Sequence, residues 1–174
     1  MRTSTPVQKN VMLDLICSCL ASIPMFSRLN EAELKYVAGH MHVHKLSKDT
    51  VVFKEGDAGD YICFVVDGIL DVYKTSAQGG DPPIATLREG SSIGEMAVID
   101  DFPRSATVKA RTEATMVTLS RERLDFIADS FPQVGIKVLK ELARLMSLKL
   151  RQTSNYLSDM LQKPVGHGTH PAKT

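Results

Sequence analysis

From His42 to Leu119 the chain is a succession of short β-branched runs: HVHK, TVVF, YICFVV, ILDVY, PIATL, ATVKA and ATMVTL. Turn residues separate them, at Glu55-Gly56-Asp57, Asp67-Gly68, Gly79-Gly80-Asp81-Pro82-Pro83 and Arg88-Glu89-Gly90. β-Branched and aromatic side chains suit a pleated strand, whereas Gly, Pro and Asp favour chain reversal, so each run reads as a strand and each break as a turn. Many short strands at this spacing pack as a sandwich, a jelly roll or a barrel. At 174 residues the chain has room for one such domain with helical additions, but not for a complete sensor joined to a complete output domain.

Helical periodicity flanks the strands on both sides. Within Val11 to Ile23, Asp14, Ser18 and Ser22 form a polar stripe, while Met12, Ile16, Cys19, Leu20 and Ile23 fall opposite. This spacing predicts an amphipathic helix lying on a core, not an export signal. Pro24 ends that helix, and Asn30 with Glu33 forms a capping-box signature for a second one reaching about His40. After the strands, Ser120 caps a short helix over Arg121 to Asp129, and Pro132 divides it from a long helix over 133–162.

In the long helix Leu139, Ala143, Met146, Leu150, Thr153, Leu157 and Met160 alternate steps of four and three. Such a seam suits pairing with an identical helix, so a homodimer through residues 139–160 is expected. A second row, Val138, Leu142 and Leu145, is expected to face the strands. Beyond Pro164 the tail GHGTHPAKT lacks an apolar pattern and is expected to be disordered.

Charge and cysteine content narrow the partners. Lys and Arg number 21 against 20 Asp and Glu, a formal charge of +1, which argues against binding to a phosphate backbone. Cys17, Cys19 and Cys63 show no C-x-x-C spacing and fit a reducing, cytoplasmic setting. No run approaches the roughly 20 apolar residues that span a bilayer, so no membrane partner is expected. His42 and His44 share a strand face, but no further histidine follows among the strands to complete a cupin metal set, and no hydrolase elbow or P-loop motif occurs.

The segment richest in chemistry is 94–110, GEMAVIDDFPRSATVKA. Gly94 permits a tight turn, Glu95 to Ile99 can form one helical turn, and Phe102-Pro103 turns the chain out of helix before Arg104. Backbone N–H groups at a helix start, together with an arginine fork, can hold an anion. Glu95 at the edge of that site would repel a bare phosphate, but it suits a ligand that also carries hydroxyls, as a ribose does. Asp100 and Asp101 are expected on the solvent side.

With this segment the chain resembles the cyclic nucleotide-binding domain family, in the branches typified by catabolite activator protein and the protein kinase A regulatory subunit. The likeness covers Ile23 to Met160 and includes IPMFSRLNEAELKYVA, then VVFKEGDAGDYICFVVDGILDVY with Gly56, Gly59 and Gly68, then a phosphate-binding cassette at 94–110. It implies an α+β fold, an antiparallel jelly-roll-like β-roll over 42–120, flanked by N-terminal helices within 1–41 and by a hinge and long C-terminal helix over 121–162, with the tail at 163–174.

The resemblance also implies a ligand, cAMP in preference to cGMP, with no other cofactor and no catalysis. Glu95 would accept from the ribose 2′-hydroxyl, and Arg104 would pair with the cyclic phosphate. Amides at Gly94, Glu95, Met96 and Ala97 and at Ser105 and Ala106 would complete the cradle, with the Ser105 hydroxyl adding to phosphate or base. Thr153 and Ser154, one from each of two subunits, would reach the purine. An effector protein would sense the helix. A nucleotide-independent interaction module and the sensor piece of a longer transcription regulator are the competing readings. A DNA-binding unit after the long helix would need packed helices that the thirteen residues past Leu161 do not supply.

Overall fold

The computed structural model describes residues 6–21, 23–75 and 82–162. The expected tail at 163–174, Gly79-Gly80-Asp81 of one expected turn, Ser22 of the polar stripe and the Met12 side chain lie outside what it describes. Helix α1 spans Pro6–Ala21, and a single 3-10 turn, Pro24–Phe26, follows it. Helix α2 spans Glu31–Ala38. Its capping box is formed in full: the Glu33 amide donates to Asn30 Oδ1 and the Asn30 amide to a Glu33 carboxylate oxygen, each at 2.9 Å.

Among the described residues eight strands come next: β1 His42–Leu46, β2 Val51–Phe53, β3 Tyr61–Asp67, β4 Leu70–Tyr73, β5 Ala85–Leu87, β6 Ser92–Ile93, β7 Thr107–Ala110 and β8 Ala114–Ser120. They form two antiparallel sheets, ordered β1-β8-β3-β6 and β2-β7-β4-β5. Seven of the eight match the β-branched runs; β6 was not expected, because two residues carry no alternation to detect.

The apolar continuity of β3 and β8 has a direct structural cause, since both faces of these strands are covered. Cys63 and Val65 on β3, with Ala114 and Met116 on β8, point between the sheets, where they meet Phe53, Leu70, Val72, Val108 and Ala110. The alternate residues Ile62, Phe64, Val117 and Leu119 point outward into a second core. There they meet Leu20, Phe26, Val37, Leu124, Ile127, Val138 and Leu142 from the helices.

Helix α3, Arg121–Ser130, begins where the Ser120 hydroxyl accepts from the Arg123 amide at 3.2 Å. Helix α4 starts at Pro132, the first-turn position where a missing N–H costs nothing, and runs to Gln162. At 31 residues it is roughly 46 Å long. Val134, Val138 and Leu142 are buried and Leu145 packs against the same core, as the second row requires. Met146, assigned to the seam, also packs on this core, so the seam narrows there. From Leu150 to Leu161 every side chain is exposed.

Candidate functional site

Segment 94–106 carries the chain from β6 in one sheet to β7 in the other. Gly94 leaves β6 with φ +87°, which an L side chain rarely adopts. The helical turn is 3-10 and spans Met96–Val98, shorter than the expected 95–99. Ala97 and Val98 are buried, and Val98 joins the core beneath the helices. Asp100 and Asp101 are exposed, as expected, and Asp101 pairs with Arg121 at the start of α3.

Two backbone bonds fix Arg104: its amide donates to the Asp57 carbonyl at 2.8 Å, and its carbonyl accepts from the Gly56 amide at 2.9 Å. The β2–β3 turn thus holds the far end of the cassette. The Arg104 side chain, only 3% exposed, packs against the rings of Phe53 and Tyr61, with Cζ 4.2 Å and 4.4 Å from their centroids. Its Nη1 donates to the Gly94 carbonyl at 3.2 Å, while Nε and Nη2 are buried and have no acceptor.

Glu95, 5% exposed, faces the same space. Its Oε1 accepts from Lys149 Nζ of α4 at 2.7 Å, and its Oε2 is buried without a donor. Lys149 also donates to the Ser92 carbonyl at 2.8 Å. An open pocket is lined by Phe53, by 93–97 and by 103–106. Within one cavity the site therefore offers two arginine donors and one carboxylate acceptor, all unanswered.

Of the residues singled out in the sequence, Gly94, Glu95, Met96, Ala97, Arg104, Ser105 and Ala106 all line this pocket. Thr153 and Ser154 do not; both are exposed on α4, and the Thr153 hydroxyl donates to the Lys149 carbonyl one turn back, at 2.9 Å. Sequence reasoning missed Lys149, Phe53, Tyr61 and Arg121. Only Lys149 left a signal, since it stands four residues before Thr153 and so on the same helical face. Arg121 bridges the cassette and α3 by donating to the Ala97 carbonyl and, at 3.3 Å, to that of Gly59. Burial pushes the Cys63 thiol up to about 12, which makes it a poor nucleophile.

Elsewhere, His44 shares a 3.0 Å hydrogen bond with the Thr118 hydroxyl on the neighbouring strand. Among the described residues no group of three or more His, Cys, Asp and Glu side chains is arranged to hold a metal ion. No described helix is long and apolar enough to cross a membrane.

The cyclic nucleotide-binding domain family model matches residues 43–131, about half of the chain. A cAMP-dependent protein kinase regulatory subunit of Yarrowia lipolytica is 34% identical over 103 residues, 59% of this chain and 27% of that protein. A cyclic nucleotide-gated potassium channel of Rhizobium etli is 30% identical over 121 residues, 70% of this chain and 32% of that protein. The chain thus spans about a third or less of the length of these curated relatives.

Among solved structures, a cyclic nucleotide-binding domain from Methylobacillus flagellatus superposes with a TM-score of 0.76 at 29% identity, covering 92% of this chain and 88% of the other. The catabolite activator protein of Thermus thermophilus gives 0.70 at 25% identity, covering 79% and 62%. The two-sheet roll, the cassette that bridges it and the family match agree: this chain belongs to the cyclic nucleotide-binding domain family.

Proposed function

We propose that the chain is a regulatory receptor for a cyclic purine mononucleotide, cAMP in preference to cGMP, working without a cofactor and without catalysis. One observation carries this reading. Arg104 Nε and Nη2 and Glu95 Oε2 are buried and unpartnered, and both residues line one pocket. Leaving such groups unmet costs about 1–3 kcal/mol each, and such exceptions call for a ligand. Two arginine donors call for an anion, and an adjacent carboxylate calls for a hydroxyl. A cyclic phosphate fused to a ribose that keeps its 2′-hydroxyl presents both.

In this reading Arg104 pairs with the phosphate and Glu95 accepts from the 2′-hydroxyl. Amides of Gly94 to Ala97 and of Ser105 and Ala106 complete the cradle, and the Ser105 hydroxyl contacts phosphate or base. Thr153 and Ser154 reach the purine once two copies pair along residues 139–160 of α4. Their exposure leaves them available for that contact. The preference for cAMP rests on relatives named as cAMP-dependent kinase regulatory subunits.

The output is mechanical: nucleotide draws the cassette inward, α3 follows and α4 swings about residues 130–132, where an effector protein senses it. Arg121 supports the first link, because it joins the cassette to the first residue of α3. Lys149 supports the last, because it joins Glu95 to α4. A ligand moves such an equilibrium only by its preference for one state, and ~100-fold preference corresponds to ~2.7 kcal/mol.

The test is a thermal-shift measurement with cAMP and with cGMP. Binding to the native state raises the melting temperature by mass action, more with cAMP than with cGMP at equal concentration. Silence from both nucleotides would overturn the receptor reading in favour of an interaction module.

A further inference from the structure

We infer that Phe53 and Tyr61 are positioning residues that confine the Arg104 guanidinium to one orientation and so fix the direction in which its free donors point. The affinity consequence rests on the nucleotide reading above; the geometric one does not. Arg104 has four bonds in its side chain about which an exposed arginine would turn freely. Here its Cζ lies over the rings of Phe53, at 4.2 Å, and Tyr61, at 4.4 Å; their planes are inclined at 71° with centroids 6.3 Å apart, so the terminal group sits in the corner the two rings make. Contacts of this length to a desolvated cation lie well inside the ~6 Å range of attraction to an aromatic quadrupole.

The edges of the plane are confined as well. A Cβ on Gly94 would stand 2.4 Å from Nη1, and one on Gly59 would stand 2.8 Å from Nε, so both positions approach the guanidinium as only glycine can. The Gly94 carbonyl takes up Nη1. Two steeply inclined rings and two close glycines make a slot in which Nη1 is taken by the Gly94 carbonyl and Nε and Nη2 have no protein acceptor. Neither ring is free to swing away. Phe53 lies in the core between the sheets, and the Tyr61 hydroxyl donates to the Val52 carbonyl at 3.2 Å, which binds the ring back onto β2. The slot is thus closed by the same pair of strands whose turn holds the Arg104 backbone.

An arginine already fixed in its binding orientation loses little side-chain freedom when an anion arrives, and that freedom would otherwise be subtracted from affinity. The rings act through Arg104, so their loss weakens binding without removing any donor. A lysine at 104 would have no plane for the rings to hold and no fork to present.

Two measurements on the full chain test this. In the ligand-free protein labelled with 15N-arginine, the Arg104 Nε proton, identified by its loss in Arg104→Lys, is expected upfield of the other arginine Nε protons, because it lies over two ring faces. Phe53→Leu and Tyr61→Leu should each return it toward the others. An Arg104 signal that is unshifted in the wild type overturns the slot, whatever the variants do. In calorimetry, each leucine variant should weaken cAMP about tenfold. Tyr61→Phe, which keeps the ring but loses its bond to the Val52 carbonyl, should bind between the wild type and Tyr61→Leu. Equal affinity in the leucine variants would overturn the inference. A wild type that binds no cAMP but shows the shifted resonance defeats the nucleotide reading and leaves the slot standing.

Discussion

Lys149 Nζ on the long helix donates to Glu95 Oε1 in the cassette at 2.7 Å, a contact between residues 54 positions apart. Glu95 is 7% exposed at its side chain and Lys149 41%, so the acid is enclosed while its partner reaches in from the rim. The long helix is therefore tied to the carboxylate whose second oxygen is buried without a donor.

Removing that tie should destabilise the protein, since Lys149→Met leaves a buried carboxylate with one oxygen newly unpaired. A fully buried pair costs about 3–5 kcal/mol when broken from one side, and the half-open position of Lys149 reduces this to about 1–3 kcal/mol. Glu95→Gln added to Lys149→Met should recover part of the loss. Urea denaturation of the single and double variants measures both. A single variant as stable as the wild type would show that the pair holds nothing.

Arg104→Met should separate affinity from stability. The methionine keeps the stem against Phe53 and Tyr61 but lacks the fork, so cAMP binding is expected to weaken by about 2–4 kcal/mol, which calorimetry reads directly. The nucleotide-free melting temperature should hold or rise, because two buried donors without acceptors are gone. Retained affinity would disprove the phosphate role of Arg104.

Gly94→Ala combines two penalties. The backbone there has φ +87°, and the added Cβ would sit 2.4 Å from Arg104 Nη1 and 3.1 Å from the Tyr61 carbonyl. Strain of this kind costs about 1–3 kcal/mol, and displacing Arg104 should lower nucleotide affinity as well. Thermal unfolding and calorimetry on one sample check the pair of effects; a variant with normal binding would show that Arg104 tolerates the shift.

Leu150 and Leu157 are 68% and 57% exposed. Replacing either with Glu should leave the stability of an isolated chain within about 0.5 kcal/mol, yet convert a seam-paired dimer to monomer. Light scattering before and after substitution decides it. A wild type that is monomeric at high micromolar concentration would refute the pairing.

Acid stability should reveal the contact between the β2–β3 turn and the end of β4. The Lys74 ammonium, followed by the Thr75 amide, holds the Glu55 carboxyl down at about 2. A lowered folded-state value means that the contribution is complete above the ordinary carboxylate value of 4.5 and fades as pH falls toward 2. Denaturation of wild type and Glu55→Gln should differ above pH 4.5 and converge near pH 2. Curves that stay parallel throughout would show that Glu55 carries no such linkage.

Local chemistry was legible in the residues themselves. The Asn30-Glu33 capping box, the Ser120 cap, the break at Pro132 and seven strands follow from side-chain preferences acting over two to four positions. The cassette residues from Gly94 to Ala106 were legible as well, because the turn, the helical piece and the arginine lie within one short segment. Strand β6 escaped because pairing with β3, not its own two residues, makes it a strand.

The sequence by itself determined which groups could meet an anion and a hydroxyl. Tertiary structure decided how they are held. Phe53 and Tyr61 reach Arg104 only because β2 and β3 fold beside the cassette. Lys149 reaches Glu95 because the buried row of Val134, Val138 and Leu142 lays α4 on the roll at a fixed rotation. Arg121 reaches Ala97 because α3 starts at the end of β8, under the cassette. Such contacts leave no local trace, since residues far apart in the chain meet only once the hydrophobic cores have set the relative placement of whole elements, and no spacing along the sequence encodes that distance.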